Sequence, residues 1–278
     1  NDSGLTRDIN LIIPPIFEVC PDQNDQEILV GFNDWSNIKF NFIDSDNFAD
    51  GLHLKQTEEE ISVQVFEAFK DATNNLNPIK DSFLTQGNAK ENEGINPILR
   101  IISSDKNRPI IAFDQNRIDI AAVDETLQSA TLRVYITDNG NNWGPDGRNI
   151  AVHRILEDWI EGNGWNTGNN ISGNGTGTTW NCAIDSDISN NQDDCGVQWG
   201  GGNINSTATD IVLITNNMVN QFIEFDVTSD IQQFLGDTVT NHGWMIKKAD
   251  EAKNGSLEFA SKESGQNIPE LILVFEGQ

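Results

Sequence analysis

From about residue 81 onward, short apolar runs alternate with polar, glycine-rich stretches. The runs are PILRII (97–102), PIIAF (109–113), ATLRVYI (130–136), NIAVHRI (149–155), DIVLI (210–214), FIEFDV (222–227), WMIKKA (244–249), SLEFA (256–260) and ELILVF (270–275). Runs of this length, rich in Ile, Val and Phe and bounded by turn formers, predict strands. Nine of them with few helical patterns predict an all-β fold, a jelly-roll-like antiparallel β-sandwich. One helical turn is predicted at SDIQQFLG, where Ser229 and Gln232 have capping-box spacing and Gly236 is placed as a stop. The stretch from Glu161 to Thr209 carries most of the Gly, Asn and Asp and is longer than a plain connection needs. It is therefore either functional or pinned.

The pattern differs before residue 81. Residues 1–30 read as an extended apolar arm, because Pro14 and Pro15 in DINLIIPPIFEV forbid helix. Its Ile9, Leu11, Ile12, Ile13, Ile16, Phe17 and Val19 require burial, in their own domain or in a neighbouring chain. Residues 31–80 read as a connector with one helix near 58–74. There Thr57 and Glu60 form a capping-box pattern, and Ile61, Val65, Phe66 and Phe69 line one face.

Charge narrows the partners. The formal net charge is −26 over 278 residues. Such a chain does not bind nucleic acid by neutralising phosphates, and anionic membrane surfaces repel it. No apolar run approaches the ~18 residues of a membrane span, so membrane insertion is not expected. The chain starts at Asn1 without a signal-type segment, and is read as a mature chain whose leader has been removed. Cys182 and Cys195 bracket a polar loop that cannot hold its shape by burial. A disulfide between them would add ~3 kcal/mol by loop closure and imply an oxidising, extracellular or cell-surface setting; two free thiols are the alternative. Cys20 is left over, free or used between chains. Sequons at Asn1, Asn170, Asn174, Asn205 and Asn254 suit a glycoprotein, and the last four fall in loop-like stretches.

Catalytic and ligand chemistry is sparse. The histidines His53, His153 and His242 are scattered, with no zinc spacing, and no G-x-S-x-G elbow is present. Asp185, Asp187, Asp193 and Asp194 have calcium-loop spacing, but the EF-hand Gly and terminal Glu are missing. A solvated acidic loop is expected there, with calcium as the alternative and no cofactor required. Trp143 and Trp165 sit in polar, Gly-rich stretches with no obvious core to join. They are candidate sugar contacts, flanked by Asn142 and Asp146, although packing against the long loop is the preferred use. Trp159, Trp180, Trp199 and Trp244 lie beside strand-like pieces and are assigned to the core.

Taken in order, NEGINPILRI, NRPIIAFD, SATLRVYI, VHRILEDWIEG, TTWNCAID, CGVQWGGG, FIEFDVTSDIQQFL, NHGWMIKK and FASKESGQNIPELILVF resemble a DNRLRE-type domain over about residues 81–277. The six-letter run that names that family is absent, which leaves the subfamily open. The resemblance implies an extracellular β-sandwich, and some members of the family are carbohydrate-binding modules. In such a sandwich VHRIL is a strand and EDWIEGNGW the turn leaving it. Trp159 then packs an edge, and Glu157, Asp158 and Glu161 face solvent or cap backbone donors. A glycosidase needs two carboxyls held ~5–9.5 Å apart, and nothing in the sequence brings a second one to Glu161.

The reading preferred is a non-enzymatic structural subunit of an extracellular fibre or surface assembly. It would polymerise with itself, head to tail, by donating the N-terminal strand to a neighbour's sheet edge. Burying ~300–500 Å² of that arm at ~25 cal/mol/Å² would contribute roughly 7–12 kcal/mol before ordering costs. The alternative is a carbohydrate-binding module with polysaccharide as partner; a polysaccharide lyase or hydrolase comes third.

Overall fold

The computed structural model describes residues 73–102, 106–166 and 170–276, and before them five strand segments. The chain forms two compact units, Asn1–Asp71 and Ala72–Gln278. The second unit thus begins nine residues ahead of the boundary expected at 81.

In the first unit, β1 (Thr6–Arg7), β5 (Ile61–Val65) and β4 (Leu52–Gln56) form an antiparallel sheet in the order β1-β5-β4. A separate pair joins β2 (Ile28–Phe32) to β3 (Trp35–Phe40). The helix expected near 58–74 is corrected here, because Ile61–Val65 is a strand registered against Leu52–Gln56. The reason lies in its own pattern. β-branched Ile61, Val63 and Val65 alternate with Ser62 and Gln64, and that two-residue period with high strand propensity outweighs the helical spacing of the wider segment. The donor-strand residues Ile9, Leu11, Ile12, Ile13, Ile16, Phe17 and Val19, and Cys20, lie outside the described residues.

The second unit is an antiparallel β-sandwich. One sheet runs β6 (Thr73–Leu76), β16 (Glu270–Phe275), β10 (Leu127–Asn139), β15 (Leu257–Ala260) and β8 (Ile98–Ile101). β13 (Gln221–Asp226) adds to β10. Arg133 is registered with both Glu224 of β13 and Glu270 of β16, and Ile136 with both Gln221 and Phe259 of β15. β13 therefore lies on one side of β10, with β16 and β15 end to end on the other. The second sheet runs β12 (Asp210–Ile214), β11 (Arg148–Arg154), β14 (Trp244–Lys248), β9 (Asn107–Ala112) and β7 (Lys80–Thr85).

Between the sheets lies the main core. Strand alternation points Ala130, Leu132, Val134 and Ile136 of β10 inward, with Leu271 and Leu273 of β16 and Ile150, Val152, Trp244 and Ile246 opposite. All nine sequence-predicted strands are present. β12 and β16 match the predicted runs at both ends, and β10 is longer than expected because it spans two partners in turn.

Two short helices close the core. α2 (Thr228–Leu235) buries Ile231 and Phe234, and the Phe234 ring lies 5.6 Å from that of Trp244. The helix starts one residue before Ser229, which does not cap it; Asp226 instead accepts from the Thr228 amide at 2.9 Å. α1 (Gln115–Ala121) was not predicted; Asp114 caps it by accepting from the Asn116 amide, and Ile118 is its one buried residue.

The five-stranded sheet is covered on its outer face as well. Leu84, Ile110, Ala112 and Met245 point outward into a second cluster with Ile155, Trp159, Trp180, Ala183 and Trp199. Those five come from the long stretch after β11, which has almost no regular structure. β7, β9 and β14 are consequently buried nearly end to end, as expected of strands packed on two faces. The cover is tied by the Cys182–Cys195 disulfide, across 5.9 Å between Cα atoms. The indoles of Trp159 and Trp199 donate to the carbonyls of His242 and Thr179, each at 2.9 Å. Lys80 sits 4.5 Å over the Trp159 ring and Arg108 4.7 Å over that of Trp180.

Candidate functional site

The cover meets the rim of the sheet around one buried side chain, Asn92. Its Nδ2 donates to the carbonyls of Glu161 and Thr178, both at 2.7 Å. Its Oδ1 accepts from the amides of Gly94 at 3.1 Å and Gly164 at 2.7 Å, and its own carbonyl accepts from Asn166 Nδ2. A side-chain amide with all its capacity used holds three chain segments together. Gly94 is required for so close an approach, since a Cβ there would lie 2.3 Å from the Glu161 carbonyl oxygen.

Two groups of carboxylates surround this hub. In the first, ligand oxygens of Asp81, Glu161 and Glu263 all lie within 4.8 Å of one another. Asp81 comes from β7, Glu161 from the turn after β11, and Glu263 from the 3-10 turn Lys262–Ser264. Lys262 supplies the cation, pairing with Glu263 and lying 3.2 Å from Glu161. The Lys262 amide donates to Asp81 Oδ2 and the Asp81 amide to Glu161 Oε1, both at 2.7 Å. Burial, reinforced by the charge of Glu263, holds the 1 % exposed Asp81 carboxyl well above the ordinary aspartate range. Burial likewise raises Glu161. Burial opposes the charge on Lys262, yet its contacts with Glu263 and Glu161 raise it overall. The set is a closed ion cluster in which each carboxylate already has a donor.

In the second group, Glu93 is 1 % exposed. Its Oε2 accepts from Asn96 Nδ2 at 2.9 Å and from the Asn166 amide at 3.2 Å. Its Oε1 is buried without a hydrogen-bond partner, as is Oε2 of the half-buried Glu91.

The residues singled out in the sequence fare unequally. Trp143 is corrected: it is 0 % exposed and belongs to the main core, not to a sugar-facing surface or the long loop. Its indole donates to Asn139 Oδ1 at 3.0 Å, and the missing Cβ of Gly255 makes room for its ring. Asn142 is half-buried, accepting from Arg148 and the Ser256 amide, while Asp146 is exposed. Trp165 is half-buried, its backbone bridged to Ile171. Asp185, Asp187, Asp193 and Asp194 do not converge as a ligand set. Asp185 is buried and pairs its backbone with Gly177. Asp187 turns back on Ser189, Asp193 accepts from Asn181 and Gln198, and Asp194 from Asn190. Their spacing serves local Asx turns and loop cross-ties. Of the sequon asparagines, Asn170, Asn174 and Asn254 are exposed, whereas Asn205 is half-buried with its Oδ1 accepting from the Thr207 amide. His153 and His242 are both held below the ordinary histidine range by burial. Sequence reasoning found no partner for Glu161; Asp81 and Glu263 reach it from positions far along the chain, and no spacing announces them.

Sheet edges form the other feature of interest. β7 is closed off by Trp159, Glu161 and Lys262. β13 ends its sheet with exposed Glu224 and Asp226. β12 ends the five-stranded sheet beyond the reach of the tryptophan cover, and its outward Ile211 and Leu213 are 51 % and 52 % exposed.

No protein-family model matches the chain, and the comparison with curated proteins gives no match.

Proposed function

We propose that this chain is a non-enzymatic structural subunit of an extracellular assembly, in which β12 accepts the apolar strand of residues 9–19 from a second copy. The observation that carries this reading is the asymmetry of the edges. Proteins blunt exposed edges with charge or cover, as at β13 and β7, whereas β12 presents Ile211 and Leu213 to solvent. An apolar strand added beside β12 would shield both and continue the ladder where it lies clear of Pro14 and Pro15, which carry no amide hydrogen. A donor on one copy and an acceptor on the next make a head-to-tail contact that propagates. The disulfide is compatible with an extracellular location, and among the described residues no helix is long and apolar enough to cross a membrane. The fold agrees with the β-sandwich that the DNRLRE-type resemblance implies, without identifying the family. A catalytic role for the Asp81–Glu161–Glu263 group is disfavoured by the burial of Asp81 and by Lys262, which already pairs with Glu161 and Glu263. The test is sedimentation and electron microscopy of three proteins: the intact chain, a chain lacking residues 1–20, and Ile211→Lys/Leu213→Lys. Fibres from the intact chain alone support the reading; fibres from the truncated chain defeat it.

A second reading, carbohydrate binding, is favoured by the outer face of the six-stranded sheet. There the half-buried rings of Tyr135 and Phe222 lie 5.1 Å apart, with the Arg133 guanidinium 4.4 Å from Phe222. Aromatic faces beside a planar donor suit pyranose rings. Glycan-array binding lost in Tyr135→Ala, with Trp165→Ala as the companion variant, would support it; indifference to all glycans would remove it.

A further inference from the structure

We propose that the carboxylates of Glu91 and Glu93 hold a divalent cation, calcium by their chemistry, which clamps the loop cover to the sandwich rim.

The argument starts from two oxygens. Glu93 Oε1 and Glu91 Oε2 are both buried and both without a donor. A buried carboxylate oxygen is costly unless a proton, a hydrogen bond or a cation compensates it. Donors are present around Glu93 but are spent elsewhere: Asn96 Nδ2 and the Asn166 amide both go to its other oxygen. The Asn92 side chain, between the two glutamates, is wholly committed to backbone groups. The two glutamates lie two residues apart on the segment that Asn92 ties to the cover, and burial, then the charge of Glu93, raises Glu91.

The contrast with the nearby Asp81–Glu161–Glu263 group sharpens the point. That group carries its own counter-ion in Lys262 and a backbone donor for Asp81. The only lysine adjacent in sequence, Lys90, instead extends its amine to the Asn191 carbonyl at 3.1 Å. Like-charged oxygens from an irregular, oxygen-rich loop suit calcium, which tolerates irregular coordination and completes its shell with carbonyls and water. Magnesium demands stricter octahedral geometry and suits the site less. The position gives the ion a structural role. Through Asn166 and Asn96, Glu93 touches the segments that Asn92 ties together, so a cation there would hold the cover, including Trp159 and the turn at Glu161, against the sheet.

The test is thermal unfolding of the full chain in calcium chloride, magnesium chloride or EDTA, with terbium luminescence sensitised by the nearby Trp165 as a second readout. Saturating calcium should raise the midpoint of the second unit by about 5–10 °C over EDTA. Glu93→Gln and Glu91→Gln should each weaken terbium binding at least tenfold and flatten the calcium response. Glu263→Gln, in the lysine-neutralised cluster, should retain both. Identical midpoints in calcium and EDTA would overturn the proposal. A calcium response that survives in both glutamine variants would overturn it equally, placing the ion elsewhere.

Discussion

The five-stranded sheet has a hydrophobic cluster on each face, and the two are made by different means. The inner cluster is assembled from strand residues of two sheets, each pointing inward because the pleat alternates. The outer cluster has strands on one side only; the other side is three tryptophans with Ile155 and Ala183 from an irregular loop. Backbone ladders position the first. The second depends on indole hydrogen bonds, on cations stacked over Trp159 and Trp180, on a disulfide and on the Asn92 hub. A sheet with an unprotected apolar face can thus be finished by a loop, provided the loop is cross-tied at several points. The same device leaves β12 uncovered, because the cover stops short of Ile211 and Leu213.

That contrast can be broken most strongly from inside. Trp244 is fully buried, packs on Phe113 and Phe234, and donates to Asp230 Oδ2 at 2.8 Å. Trp244→Ala should cost about 3–5 kcal/mol in denaturant unfolding and lower the whole transition. A loss under 1 kcal/mol would mean the inner cluster is not the stability core. Next, Cys182→Ser/Cys195→Ser should cost ~3 kcal/mol by loop-closure entropy. Here the change should be uneven: hydrogen exchange in the cover should rise while β10 and β16 stay protected. Uniform loss of protection would show that cover and sandwich unfold as one.

A smaller effect is expected from Arg108→Ala. This residue pairs with Glu251 through two bonds of 2.8 Å, donates to the Gly201 carbonyl at 2.6 Å and stacks on Trp180. Its loss should cost about 1–3 kcal/mol and redshift tryptophan emission; an unchanged spectrum would mean the Trp180 environment does not depend on it.

Smaller still is a pH effect at the cover's edge. Asp81 is held above its ordinary 3.8 by burial and by Glu263. An acid whose folded-state pKa is raised ionises more easily when unfolded, so it lowers stability as pH rises through and beyond that ordinary value. Asp81→Asn should therefore gain on the wild type as pH climbs from about 4 to 7, and the two should converge on acidification. Glu161 has the same sign, so a shallower trend should remain in the variant. Parallel curves would deny Asp81 any role in it. Last, Ile211→Lys/Leu213→Lys should change monomer stability by no more than about 0.5 kcal/mol per site. A larger loss would mean that β12 is covered within its own chain.

Much of the sandwich is readable in the chain because its information is local. Alternation in Ala130–Ile136 or Glu270–Phe275 announces both a strand and its buried face. β7 was not visible, since Asp81 and Ser82 are buried by the cover and by Lys262 rather than by hydrophobicity. β6 is TNNL, and its strand state follows from pairing with β16. α1 hides because Ile118 is its one fully buried residue, with the small Ala121 packing beside it. Trp143 misled for a related reason: its Gly- and Asn-rich surroundings read as surface, yet those residues fold over it, with Gly255 leaving room for the ring.

The sequence by itself determined nine strands of the sandwich, the cysteine spacing that permits the Cys182–Cys195 closure and the acidic character of the chain. These depend on neighbours within a few residues, or on composition. Tertiary structure alone decided that Trp143 is buried, which carboxylates meet, which of their oxygens lack a donor, and that Ile211 and Leu213 of β12 stay exposed. Those properties depend on groups tens to hundreds of residues apart, such as Asp81, Glu161 and Glu263, whose nearness arises only when two sheets and a cross-tied loop have packed together.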